Sequence, residues 1–188
     1  LFDKSIELKQ FIELRYKKLD EEGKPIIIQK FFISYEPLIE EIYQNFEQIA
    51  DYDIWIGVAP RNIKKGDKNS VKYANCCFAD IDIKTPDNQK EFDIMLDKLT
   101  ESYNIKPTIM IMSGHGYHLY WIFKELLPLN TIEDIVSFES ANKGLAKLVN
   151  GDTTFDVSRV LRVPGTNNNK EIGHKIEVKI IHIDKSLL

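Results

Sequence analysis

A chain of 188 residues, 43% hydrophobic and 11% aromatic, can build one large domain or two small, closely packed ones around a real core. Its net charge of −4 argues against holding nucleic acid by bulk electrostatics, and no apolar run approaches the length of a membrane span. The opening LFDKSIELK has neither a basic segment followed by an apolar one nor an initiator Met, so the sequence reads as a piece of a longer cytoplasmic protein.

Leu8, Phe11, Ile12, Tyr16 and Leu19 recur at helical spacing, and Gly23 and Pro25 end the pattern. This predicts a first helix, followed by a strand over PIIIQKFFIS. Pro37 suits the first turn of a second helix, with Leu38, Ile42, Phe46 and Ile49 as its apolar face. DIWIGVAP is the next strand. From residue 73 the order is strand YANCCFADIDI, a helix from about Pro86 with Phe92, Met95, Leu96, Leu99 and Tyr103 inward, strand TIMIMS, a GHG turn and strand YHLYWIF. A helix follows from Asn130, with Asn130 and Glu133 as a capping box, to Asn150-Gly151; an irregular insert at 151–173 and the strand HKIEVKIIHID complete the series. Residues 73–184 therefore spell β-α-β-β-α-β, a ferredoxin-like order within the α+β class. Residues 1–72 are expected as an N-terminal αβ module packed on a core over 73–188. The adjacent Cys76 and Cys77 point to opposite faces of a strand and are read as small core residues.

Within FADIDIK, alternation puts Asp80 and Asp82 on one face of their strand and Ala79, Ile81 and Ile83 on the other. Two carboxylates side by side repel unless something neutralises them, and together they suit a hard cation or a pair of them. A polar edge-strand face meeting water would give the same spacing. SGHGYHLYW sets His115 between two glycines at a tight turn, where backbone N–H groups, Ser113 and an imidazole can receive phosphate oxygens; His118 reads as structural. In GDTTFDVSRVLRVPGTNNNK, Asp152 and Asp156 precede Arg159 and Arg162, and the turn after them presents Asn167 and Lys170. This stretch can supply one more metal ligand and several triphosphate contacts, or be a polar crossover loop. Charge is also concentrated locally: residues 61–72 carry five basic side chains against one acidic, and residues 159–175 carry four against one. An anionic pair with a cationic rim fits Mg²⁺ or Mn²⁺ with a nucleoside triphosphate.

FADID, SGHGYHLYW and FDVSRVLRVPGTNNNK closely resemble, in order and spacing, the three motifs of the archaeo-eukaryotic primase superfamily in its primase-polymerase branch, and GVAPR at 57–61 resembles the strand and basic turn before them. The resemblance covers about residues 55–170. It implies an RRM-like catalytic core with an N-terminal αβ module, and template-directed nucleotidyl transfer with dNTPs or NTPs on single-stranded or primed DNA. It implies two divalent ions, Mg²⁺ or Mn²⁺, held by Asp80, Asp82 and a third aspartate. Asp156, which follows Phe155, matches that third position better than Asp152. Ser113 and His115, with Arg162, Lys170 and Arg61, are implied to hold the phosphates. The zinc-binding stem of several members is missing, and a helicase or zinc module is a possible neighbour outside this segment. Two rivals stand beside this reading. A rolling-circle initiator nuclease would want two histidines flanking one hydrophobic residue, and a non-catalytic nucleic-acid module would stack bases on Tyr117, Tyr120 or Trp121.

Overall fold

The computed structural model describes residues 8–171 and 174–187; residues 1–7 of the expected N-terminal module and 172–173 of the expected insert lie outside the described residues. Where the first helix was expected, the chain forms strand β1 (Ile12–Leu19), paired along its length with β2 (Pro25–Phe32). Gly23, at φ +78°, makes the turn between them. The segment satisfies two periods at once. Alternation prevails because Ile12, Leu14 and Tyr16 can then be buried together against Leu38 of helix α1 (Tyr35–Gln44), leaving Glu13, Arg15 and Lys17 on the other face. β3 (Asp53–Gly57) pairs with the free edge of β1, and β7 (Val160–Arg162) pairs with β3. The resulting antiparallel sheet has the order β2-β1-β3-β7, so the strand that completes the N-terminal sheet comes from far along the chain.

A second antiparallel sheet holds β4 (Tyr73–Asp82), β5 (Ile109–Met112), β6 (Gly116–Pro128) and β10 (Lys179–Ile183) in the order β10-β5-β6-β4. Helices α2 (Pro86–Glu101) and α3 (Ile132–Leu148) cover one of its faces. There Phe92, Leu99, Ala146 and Val149 pack on Ala79, Ile81, Leu119 and Trp121. The βαββαβ series is present and its first and third strands are neighbours. They are not both central, however, because β10 pairs beside β5 and leaves β4 at the end of the sheet. On the opposite face Cys76, Phe78, Ile111 and Tyr120 meet Val58 and Leu161 from the first sheet's side, so the two sheets enclose a shared core.

Caps set the helix starts. Thr85 accepts from the Asn88 N–H ahead of Pro86. For α3 the capping box is Thr131 with Asp134, one residue beyond the expected Asn130 and Glu133, because the threonine hydroxyl reaches the Asp134 N–H while the Asp134 carboxylate accepts from Thr131. Tyr103, expected inward, lies beyond the end of α2 and is 53% exposed. The insert contains β7 and β8 (Asn167–Glu171); β8 pairs with β9 (His174–Glu177), and the expected last strand divides at the buried Val178 into β9 and β10.

Candidate active site

Because Ala79 and Ile81 face the helices, Asp80 and Asp82 face the other sheet, on the side of Cys76 and Phe78. Register extends this into two rows. Asp80 lies opposite His118, which lies opposite Ile111; Asp82 lies opposite Gly116, whose carbonyl accepts the Ser113 N–H at 2.9 Å. A side chain at Gly116 is impossible, since a Cβ there would stand 1.7 Å from the Ile81 carbonyl oxygen. The turn between β5 and β6 is pinned from outside the sheet. Buried Asn168 on β8 donates to the Ser113 carbonyl at 2.8 Å, and Gly114, at φ +106°, leaves room for that amide. The His115 carbonyl accepts from the Ile83 N–H at 2.8 Å, tying the turn to the end of the acidic strand.

His118, read from sequence as structural, is the histidine that faces a carboxylate. Its Nε2 lies 3.5 Å from Asp80 Oδ1, and its buried Nδ1 has no hydrogen-bond partner among the described residues. Burial, with help from Arg162, pushes its pKa down to about 3, so the ring is neutral. Asp80 shifts the other way. Burial first, then the charges of Asp152 and Asp82, raise its pKa to about 6, against a partial offset from Arg162 and Arg159. Asp152 comes this close through its backbone, whose N–H donates to the Asp80 carbonyl at 2.7 Å, and it lines a cavity of about 240 Å³ together with Asp82. Asp156, the preferred third carboxylate from sequence, is engaged elsewhere: Arg159 Nη2 lies 3.0 Å from it and the Ser158 hydroxyl donates to it at 2.8 Å. The carboxylate beside the Asp80 and Asp82 pair is therefore Asp152.

A cleft of about 280 Å³ separates Asp80 and His118 from the first sheet, whose wall presents Arg15, Lys17, Trp55, Arg159 and Arg162. Arg15, Trp55 and Arg162 form one cross-strand row, and the Arg162 guanidinium lies 5.7 Å from the Trp55 ring centre. Arg15 and Lys17 were missed in the sequence, although their alternation with Ile12, Leu14 and Tyr16 was the available signal. Arg61 corrects an expectation. It is fully buried, with Nε and Nη2 on Glu13 at 2.9 and 2.7 Å and further bonds to the Ala59 and Ser158 carbonyls, so it cannot reach a phosphate. Lys170 stands exposed on β8 and lines neither cavity. The hairpin aromatics are packed: Tyr120 and Trp121 are buried and Tyr117 stacks on Phe92, which removes the stacking platform of the non-catalytic rival.

Among the described residues no three His, Cys, Asp or Glu side chains converge as a group that could hold a metal ion. Asp80, Asp82 and Asp152 offer oxygen donors, the ligand type of a hard divalent cation, and the charges of the latter two add to burial, the larger cause, in raising the pKa of Asp80.

The arrangement of two antiparallel sheets around a shared core is a fold shared with solved primase and primase-polymerase domains. The AEP domain of the cyanophage S-2L primase-polymerase matches with a TM-score of 0.58 and 16% identity, over 91% of this chain and 81% of that one. Primase RepB' matches with a TM-score of 0.61 and 12% identity, over 96% of this chain and 56% of that one. The catalytic domain of RepB' in complex with initiator DNA gives 0.59 and 12%, over 96% and 84%. No protein-family model and no curated protein matches the chain. No helix among the described residues is long and apolar enough to cross a membrane.

Proposed function

We propose that this chain is a nucleotidyltransferase that joins nucleotides on a DNA template, acting as primase and DNA polymerase on nucleoside triphosphates. One observation carries the reading: Asp80 faces Arg15, Lys17, Arg159 and Arg162 across a single cleft, while Asp82 and Asp152, which line a second cavity, act on Asp80 through their charge. Asp80, Asp82 and Asp152 would hold Mg²⁺ or Mn²⁺, which would supply a lower pKa for the attacking 3′-hydroxyl and positive charge against the leaving pyrophosphate.

The chain's own residues bind and orient. The arginines and Lys17 receive the triphosphate, and Ser113 and His115, at the end of the second row, add contacts to its oxygens. His118, held neutral by burial, offers a ring nitrogen for hydrogen bonding without adding charge beside the cations. In the reaction a bond forms between the 3′-oxygen and the α-phosphorus, the bond from that phosphorus to pyrophosphate breaks, and the hydroxyl proton is lost. Support for a DNA template comes from the RepB' catalytic domain, whose solved complex contains initiator DNA.

The test is incorporation of labelled nucleotide with Mn²⁺ or Mg²⁺ on single-stranded DNA, with and without an annealed primer. Asp80→Ala/Asp82→Ala is expected to reduce product to background while its circular dichroism spectrum matches wild type. A double variant that extends primers at the wild-type rate ends the reading. Product without a primer adds priming to polymerisation.

A further inference from the structure

β4 stands at the end of its sheet, yet two polar groups on that strand are paired from beyond the sheet. Asn142, fully buried on α3, accepts the Phe78 N–H through Oδ1 at 2.8 Å and donates through Nδ2 to the Phe155 carbonyl at 3.4 Å. Two residues along, the Asp80 carbonyl accepts the Asp152 N–H at 2.7 Å. Gly151 permits that approach, because a Cβ there would meet the Asp80 carbonyl oxygen at 3.0 Å and the Ala146 carbonyl oxygen at 3.2 Å. One amide thus occupies the place of a neighbouring strand at Phe78 and also grips the far end of the loop that brings Asp152 to Asp80.

We infer that Asn142 is a positioning residue for the cation site: by tying β4 and the 151–155 loop to α3 at one point, it sets the separation between the Asp80 and Asp152 carboxylates. The inference rests on the proposed reading of that cluster. A hydrophobic side chain of similar volume would fill the space but leave the buried Phe78 N–H unpaired and release the part-buried Phe155 carbonyl, and the loop would be free to draw away.

The test measures Mn²⁺ binding directly, by electron paramagnetic resonance of the free ion, in wild type, Asn142→Ala, Gly151→Ala and Thr108→Val. Thr108, just before β5, is the comparator, since its buried hydroxyl also accepts a strand N–H, that of Ile122 on β6 at 3.1 Å, and it touches neither Asn142 nor the 151–155 loop through that bond. Asn142→Ala and Gly151→Ala are expected to raise the half-saturating Mn²⁺ concentration about tenfold or more, as loss of a ligand-orienting partner does, while Thr108→Val binds as wild type. In the incorporation assay the same two variants are expected to recover most of their turnover at saturating Mn²⁺. Wild-type Mn²⁺ affinity in folded Asn142→Ala overturns the inference. Should that variant fail to fold, Gly151→Ala decides, together with Asn142→Asp, which keeps the acceptor for Phe78 and loses the donor to Phe155. Absence of Mn²⁺ binding by the wild type overturns the reading of the cluster itself, a result separable from equal binding by all four proteins.

Discussion

A carboxyl group buried beside other carboxylates holds its proton more tightly in the folded chain than in the unfolded one. For Asp80 the pKa rises from 3.8 to about 6. Below about pH 4 the group is protonated in both states and favours neither; as pH rises through about 4 to 6 the unfolded chain ionises first, and stability falls by about 2 to 3 kcal/mol. Asp80→Asn is therefore expected to melt at a higher temperature than wild type at pH 7 in EDTA and at a similar temperature at pH 4, which thermal melts of both proteins across that range would check. A second contrast concerns the neighbouring loop. Asp152→Asn should reduce incorporation at least about tenfold more than Asp156→Asn, because Asp152 adjoins Asp80 whereas Asp156 satisfies Arg159 and Ser158. Equal losses in steady-state assays would contradict that assignment. Arg61 shows why such roles are hard to read from sequence. In RNIKKGDK it resembles any loop cation, and only folding reveals a carboxylate partner 48 residues earlier.

That partner, Glu13, ties β1 to the basic segment after β3. Its carboxylate takes Arg61 on one oxygen and Arg15 and Gln29 on the other, and Gly66 packs so closely that a side chain there would meet the Glu13 carboxylate, Arg15 and Gln29. Glu13→Ala would leave the Arg61 guanidinium buried without its counter-charge, so a loss of about 3 to 5 kcal/mol is expected in urea unfolding. β1 is also the element the sequence misrepresents. Leu8, Phe11, Ile12, Tyr16 and Leu19 fit a helix, Ile12, Leu14 and Tyr16 fit a strand, and pairing with β2 and β3 decides between them at a range no local pattern contains. The run from β4 to α3 was legible because its signals agree locally. Proline marks the start of α2, polar capping residues cluster at the start of α3, the apolar faces recur cleanly, and glycines flank the turn.

At the scale of the whole molecule, a net charge of −4 conceals a division of sign between walls: carboxylates on one sheet, arginines and lysines on the other and on the 61–72 loop. The three motif stretches were visible as residues. Which aspartate and which histidine face one another was not, since that depends on strand register and on a loop crossing between sheets. If the loop lysines guide a template strand, Lys65→Gln/Lys72→Gln should weaken single-stranded DNA binding and lower the magnitude of its log–log salt slope by about 0.7 per lost phosphate contact, read from titrations at several salt concentrations. Strand β7 has one more consequence. By chain position it follows the acidic strand and its loop, yet by pairing it closes the cationic sheet, so the span from Asp152 to Arg162 works as a ruler laid across the gap. Substitutions between its ends alter what the ruler is made of, whereas an inserted or deleted residue alters what it measures, and the distance at which opposite charges grip a ligand changes with it.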